Sequence, residues 1–207
     1  MARPRTNIEP RIIAAARATF ARVGVDGSSL REIAKRAKTS IGMIYYYFPT
    51  KDDLFHAVVE EVYGKLLTYL EAILSSEGDV EAKLLRLYCR IGETTELERL
   101  TLRLVLQEML VSDKRRTRLL ERFLRGHLGM ILGMLLQGVK QGKLRSDLHP
   151  AVLLTSAMSI GAAPQFVLQA IRGSGAFPAG HLAAVPQGPA LAKDLLGVVL
   201  RGIGAQR

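Results

Sequence analysis

The sequence predicts an all-α protein. Apolar residues recur at intervals of three and four along extended stretches, glycine and proline separate these stretches, and no segment alternates apolar and polar residues as a half-buried strand does. The chain has 207 residues, of which 48% are hydrophobic and 23% charged, as in ordinary globular proteins. This length allows one domain or two modest ones.

The first amphipathic stretch is predicted to form a helix that ends at Val23. Its apolar residues recur at helical spacing, Asn7 is suited to capping the start, and Pro10 fits in the first turn. Gly24 directly follows and supplies the stop. We expect a single helix of about sixteen residues.

Two short helices are predicted next, joined by a turn of about three residues. Ser29 and Glu32 have the spacing of a capping box at the start of one, and Ser40 is suited to capping the other, which reaches about Tyr47. Helices paired in this way form a helix-turn-helix, whose second helix enters the major groove of DNA. A net charge of +10 also fits a polyanionic partner.

A fourth helix begins after Pro49 and continues to about Leu74, with Thr50 as its cap. Lys51 in its first turn opposes the helix dipole, so either the neighbouring Asp52 and Asp53 offset its charge or it has another counter-charge, for which a DNA phosphate is one candidate. A solvated lysine is the alternative. Further helices are predicted over Val80 to about Glu96, Leu97 to Val111, Lys114 to Gly142, Pro150 to Ile171 and Ala190 to Ile203. A glycine-, proline- and alanine-rich loop is predicted between Gly173 and Pro189.

An ordered set of motifs lies between Arg11 and Leu54. It comprises Ile12 to Gly24, then Ser29-Leu30-Arg31-Glu32-Ile33-Ala34, then Ser40-Ile41-Gly42-Met43-Ile44-Tyr45, then Phe48-Pro49-Thr50-Lys51-Asp52-Asp53-Leu54. The set resembles the TetR family of bacterial regulators. Two positions depart from the family pattern, since Lys38 stands where a turn glycine is usual and Thr39 where an aliphatic residue is usual.

The resemblance implies a helix-turn-helix DNA-binding domain in residues 1–53 and a helical effector-binding and dimerisation domain in residues 54–207. The implied function is that of a transcriptional regulator, a repressor released from a palindromic operator by a small-molecule effector. The alternative is a basic helical membrane-surface or interaction protein without operator specificity. The sequence contains no catalytic triad pattern, phosphate loop or metal-ligand spacing, so we expect neither an enzyme nor a cofactor or metal.

Helical periodicity places Ile44 and Phe48 on the packing side of the third helix and leaves its other residues available. Ile41 has a second interpretation, because its spacing from Ile44 also fits the core. Ser40 is among the residues that periodicity leaves available. The resemblance implies that the residues nearest the bases are Ile41, Gly42, Met43 and Tyr45. It implies phosphate or flanking contacts for Tyr45, Tyr46, Tyr47, Lys51, Ser29 and Arg31. A glycine at position 42 permits close approach of the helix backbone to DNA.

The charge-free stretch from Ala151 to Ile171 is predicted to form a dimer interface with the last helix. A membrane span is the alternative, but polar residues and Pro164 count against it. Ala157 and Gly161 lie one turn apart and permit close helix approach. The predicted interface residues are Leu153, Leu154, Ala157, Ile160, Gly161, Phe166, Leu195 and Val199.

The effector is expected to be apolar or amphipathic and to bind inside the C-terminal helices. Candidate pocket residues are Tyr63, Tyr88, Gln107, Glu108, His127, Met130, Met134 and Gln165, although such residues ordinarily just fill space. The basic cluster between Lys114 and Arg125 suits an acidic ligand such as an acyl-CoA or, alternatively, forms a solvated helix face. A single cysteine, Cys89, and the absence of a leader peptide favour the cytoplasm.

Overall fold

The structure, a computed structural model, describes residues 8–174 and 184–205. Across these ranges it has α-helices and no β-strand, which confirms the all-α prediction. The helices are α1 Ile8–Val23, α2 Leu30–Arg36, α3 Ile41–Tyr47, α4 Lys51–Ser75, α5 Val80–Gly92, α6 Glu96–Val111, α7 Asp113–Arg125, α8 His127–Lys140, α9 Pro150–Ser174 and α10 Gly188–Ile203. The proposed cap Asn7 and much of the predicted loop lie outside the described residues.

Several predicted helix ends are confirmed by local geometry. Gly24 has a φ of 74° and its N–H donates to the Phe20 carbonyl at 2.8 Å, which closes α1 in the left-handed conformation that glycine favours. The Ser40 hydroxyl accepts a bond from the Met43 N–H at 3.2 Å. The Thr50 hydroxyl accepts a bond from the Asp53 N–H at 3.1 Å and caps α4.

Two local predictions were wrong. The predicted helix over residues 114–142 is divided into α7 and α8 at Gly126, a residue of low helix propensity. The capping box at Ser29 does not form, because the Ser29 side chain makes no cap bond and the Glu32 carboxylate pairs instead with Arg22 of α1. A charged hydrogen bond between Glu32 and Arg22 is stronger than the local bond from the Ser29 N–H, which explains why the capping box is absent.

The described chain packs as two compact units that differ from the predicted division at residue 53. The first unit contains residues 8–67 and 95–122, and the second contains residues 68–94 and 123–205. The first unit therefore includes α6 and most of α7 in addition to the helix-turn-helix. The functional division between residues 1–53 and 54–207 stays a prediction.

In the first unit, α1 packs on α2 and α6, and α2 packs on α3. The centre is apolar, with Ile12, Phe20, Ile33 and Ile44 fully buried. Phe20 meets the ring of Phe55 from α4 edge to face at a centroid distance of 6.4 Å. Burial of Ile44 and of Phe48 confirms that these residues form the packing side of α3.

In the second unit, α5, α8, α9 and α10 enclose one apolar cluster. By length and composition α9 is able to cross a membrane. Its Ala157, Gly161 and Gln165, spaced four residues apart, are instead buried within the unit. The Gln165 amide donates to the carbonyls of Tyr88 and Gly161 at 2.9 and 2.7 Å. These contacts fit a helix that packs within a bundle.

The predicted dimer residues need correction at this point. A Cβ added to Gly161 would lie 2.0 Å from Cε1 of Tyr88, and the Tyr88 hydroxyl donates to the Ala157 carbonyl at 2.6 Å. The small residues of α9 therefore make room for a tyrosine of the same chain. Buried within the unit are Leu153, Ala157, Gly161, Leu195 and Val199, whereas Leu154, Ile160 and Phe166 are only partly covered.

Candidate nucleic-acid interface

The helix-turn-helix presents one face of α3 to solvent. Ile44 anchors the opposite face in the core, so Tyr45 and Tyr46 point outward and are 52% and 77% exposed. The ring of Tyr46 contacts that of Tyr47 edge to face at 5.1 Å. Tyr45 and Tyr46 leave much of their apolar ring surface in contact with water. Exposed apolar surface of this kind favours contact with an external partner.

The other predicted contacts of α3 lie on or beside the same face. Ile41 and Met43 are half-buried, and Ser40 and Gly42 are exposed. A Cβ added to Gly42 would meet only the Ser40 hydroxyl, at 3.7 Å, so the space in front of the helix is open. This arrangement fits close approach of the α3 backbone to a DNA groove.

The turn between α2 and α3 contains a strained residue, and hydrogen bonds from Arg11 stabilise the backbone there. Lys38 adopts a φ of 50°, the left-handed conformation that the missing glycine would occupy without cost. The Arg11 guanidinium donates to the carbonyls of Ala37 and Lys38, the latter at 3.0 Å. Arg11 thus holds the end of α2 and compensates for the unusual residue, a role that sequence reasoning missed.

Lys38→Gly is expected to stabilise the protein by about 1 kcal/mol, because glycine adopts a positive φ without steric cost. Lys35→Gly is the matched control, since Lys35 is exposed and lies within helix α2. That change is expected to destabilise by about 1 kcal/mol, the helix-propensity cost of glycine. Urea unfolding measures the free energy of unfolding of both variants relative to the wild type. Changes of the same sign in the two variants would contradict the assigned turn geometry.

Lys51 finds its partners within the chain. Its Nζ donates to the carbonyls of Asp26 and Ser28 at 3.0 and 3.1 Å. In the free protein, these two carbonyl oxygens are therefore the hydrogen-bond partners of Lys51, the residue for which a DNA phosphate was one candidate partner. Through these bonds Lys51 supports the turn that leads into α2. Ser29 and Arg31, at the start of α2, are exposed.

The basic residues of α7 form ion pairs with the acidic residues at the start of α4. Lys114 pairs with Asp52 at 2.8 Å, and Arg118 pairs with Asp53 at 3.1 Å. The row ends where Arg122 pairs with Glu60 at 2.7 Å. The sequence offered only a partial signal for this row: the basic residues of α7 recur once a turn, but their acidic partners on α4 do not follow the same interval.

Arg115 lies at the buried end of this row. Its guanidinium lies 2.7 Å from an oxygen of Asp26, 3.0 Å from one of Asp52 and 2.7 Å from one of Glu108. The hydrogen bond from Arg115 lowers the pKa of Asp26 below its ordinary 3.8. Burial raises the pKa of Asp52, but bonds from Lys114 and Arg115 outweigh it, so this pKa is also lowered.

This cluster is expected to weaken in acid. A carboxylate whose pKa is lower in the folded state contributes stability above its unfolded pKa, and the contribution is lost as pH falls through the folded value. The melting temperature of the wild type should therefore fall steeply below about pH 4, and that of Asp26→Asn/Asp52→Asn less steeply. Asp194→Asn, at an exposed position of α10, is the control, and parallel curves for all three proteins would refute the assignment.

The eight predicted pocket residues are divided between the two units. Tyr63, Gln107 and Glu108 belong to the first unit and the other five to the second. Tyr63 is buried beneath the Arg122 guanidinium, 4.6 Å from the ring centre, and Glu108 is paired with Arg115. Gln107 is exposed. Tyr63 and Glu108 already contact groups of the same chain and Gln107 is exposed, so none of the three is a buried polar group that requires a ligand as its partner.

The five candidates in the second unit are mostly packing residues. Tyr88 and Gln165 are buried and bonded within the unit, and His127 stacks edge to face on Phe123 at 5.0 Å. Met134 belongs to the apolar cluster and Met130 packs against it. Packing in or against this cluster is as expected for methionines that fill space.

A helix-turn-helix with an exposed second helix, carried on further helices, defines a DNA-binding transcriptional regulator. Residues 12–58 match the family model described as bacterial regulatory proteins, tetR family. This part of the chain is similar to the DNA-binding domain of that family.

Curated relatives match different shares of the chain. The fatty acid metabolism regulator protein of Bacillus subtilis is 26% identical over 138 residues, which are 66% of this chain and 71% of that protein. The nicotine-responsive transcriptional repressor HdnoR of Paenarthrobacter nicotinovorans is 34% identical over 71 residues, which are 34% of this chain and 37% of the repressor.

Solved structures share the fold over most of the chain. The transcriptional regulator FadR of Bacillus subtilis, solved in complex with stearoyl-CoA, has a TM-score of 0.70 and 21% sequence identity, with 94% of this chain and 98% of that chain covered. The fatty acid degradation regulator FadR of Bacillus halodurans has the same TM-score of 0.70 and the same 21% identity, with coverage of 97% and 98%. At this identity the likeness establishes the fold.

Proposed function

We propose that the protein is a cytoplasmic repressor that binds a palindromic operator as a homodimer and is released by a small amphipathic effector. The observation that carries the proposal is the α3 face, where Tyr45 and Tyr46 are exposed opposite a buried Ile44. The side chains at the start of α3 are placed to meet base edges, and the tyrosine hydroxyls are suited to phosphate oxygens.

A homodimer follows from the small size of the reading helix. α3 has 7 residues and covers only a few base pairs, so useful specificity requires two copies on a two-fold site. The proposed interface uses the outward side of α9 and α10, where Val152, Val167 and Val198 are exposed and Phe166 is partly covered. Phe166 is kept from the first prediction, and the three exposed valines take the place of the predicted residues that are buried within the unit.

In vitro selection from random duplex DNA with the purified protein tests the operator proposal. We expect an enriched inverted repeat whose half-sites are separated by about one or more turns of DNA. Light scattering of the complex should give an even number of protomers. Enrichment of no sequence would favour the alternative, a basic helical protein without operator specificity.

The proposed effector is a long-chain acyl-CoA. One relative in sequence is named for fatty acid metabolism, one structural neighbour is named for fatty acid degradation, and another was solved with stearoyl-CoA. In this chain Met130, Met134 and Met158 lie in or against the apolar cluster of the second unit. Flexible thioether side chains repack readily, which suits a site that opens for an acyl chain.

Fluorescence anisotropy of the selected operator tests the effector. Acyl-CoAs of increasing chain length are added to the complex, with free CoA and free fatty acid as controls. We expect release at a concentration that falls with chain length, because each buried methylene contributes about 0.8 kcal/mol. Release by free CoA at the same concentrations, or by none of the compounds, would contradict this effector class.

A further inference from the structure

The Arg115 side chain is 6% exposed although it carries a charge. A charge removed from water requires close partners of opposite sign, and Arg115 has three of them on three separate elements. Asp26 lies in the turn after α1, Asp52 in the first turn of α4, and Glu108 near the end of α6. One guanidinium therefore joins parts of the first unit that are far apart in sequence.

Two of these partners lie on either side of the helix-turn-helix. Asp26 precedes Ser29, the N-cap residue of α2, and Asp52 follows Phe48, the C-cap residue of α3. The same guanidinium thus fixes the chain just before α2 and just after α3. Any displacement of Arg115 acts on both ends of the DNA-reading element at once.

The turn before α2 has further attachments that agree with such a role. Glu108 accepts a bond from the Val25 N–H at 3.1 Å, and Lys51 holds the carbonyls of Asp26 and Ser28. A Cβ on Gly24 would lie 3.4 Å from the Gln107 amide nitrogen, so α6 and this turn are in close contact. The turn is fixed by charged groups of α4, α6 and α7.

We propose that Arg115 is a positioning residue for operator binding, which sets the orientation of α2 and α3 on α6 and α7 without touching DNA. The inference rests on the proposed operator binding. On this proposal α7 contributes to DNA affinity. Its sequence had suggested only a site for an acidic ligand or a solvated helix face.

The test compares Arg115→Gln with Asp26→Asn, because the two changes alter net charge in opposite directions. Each should lower affinity for the selected operator by about tenfold, within the usual range of coupling between sites. Affinity for a non-operator duplex should follow net charge, falling slightly for Arg115→Gln and rising slightly for Asp26→Asn. The double variant should be no weaker than the weaker single variant.

Arg118→Gln is the matched control, since its pair with Asp53 is more exposed. It should change operator affinity less than twofold, as expected for an exposed ion pair. Circular dichroism establishes folding, and if Arg115→Gln does not fold, Asp26→Asn carries the test, since the Asp26 side chain is 67% exposed.

Operator affinity that rises with Asp26→Asn would show an effect of net charge alone and would overturn the positioning role. Folded variants that retain wild-type operator affinity would overturn it as well. If the wild type itself shows no preference for the selected duplex over the non-operator duplex, the proposed function fails first.

Discussion

Tyr45→Ala is expected to weaken operator binding by about 10- to 100-fold, the effect of losing one good base or phosphate contact in each of two half-sites. The side chain is 52% exposed on the outward face of α3, so the substitution leaves the core intact. Anisotropy titration against the selected operator measures the change, and thermal melting establishes that the variant is folded.

Tyr69→Ala is the control for this result. Tyr69 lies on α4, is also 52% exposed and meets the guanidinium of Arg90 at 4.5 Å. Its replacement removes the same exposed area from a surface with no proposed DNA contact. Equal losses of operator affinity in the two variants, or wild-type affinity in Tyr45→Ala, would exclude the α3 face as the DNA contact.

Gly161→Ala is expected to destabilise the protein by about 1–3 kcal/mol or more, the cost of forcing atoms into a filled core. The added carbon would lie 2.0 Å from the ring of Tyr88. That ring is fully buried, and its hydroxyl is bonded to the Ala157 carbonyl at 2.6 Å, so it has no room to withdraw. Urea unfolding gives the change in free energy.

Gly133→Ala provides a control of opposite sign. Gly133 is within α8, and a Cβ added there meets nothing within 4 Å. Alanine should therefore stabilise by up to about 1 kcal/mol through helix propensity. A Gly161→Ala variant that is as stable as the wild type, or whose loss disappears at high protein concentration, would place Gly161 at an interface between protomers instead.

The local parts of the fold were predictable because their causes are local. Ser40, Gly24 and Pro49 each end or start a helix through bonds or restrictions within a few residues, and the structure has all three boundaries where the sequence indicated them. The exposed side of α3 followed from periodicity alone. Its contacts with DNA remain predictions.

Partners distant in sequence were the part that could not be predicted. Arg115 and Asp26 are 89 residues apart, and no local pattern states that they meet. The position of Lys51 in the first turn of α4 indicated that its charge needs a partner but not which one. Its partners are the carbonyls of Asp26 and Ser28. Periodicity likewise identified the small-residue face of α9, but it does not distinguish burial against Tyr88 from burial against a second protomer.

Photo-crosslinking tests the central claim, contact of the exposed α3 face with operator DNA, most directly. A photoreactive phenylalanine analogue is placed at Tyr45 or at Tyr69 in the full-length protein, and each complex with the selected operator is irradiated. The account predicts crosslinks from position 45 to bases or sugars in both half-sites and none from position 69. Crosslinks from position 69 alone, or none from position 45 while the operator is bound, would contradict it.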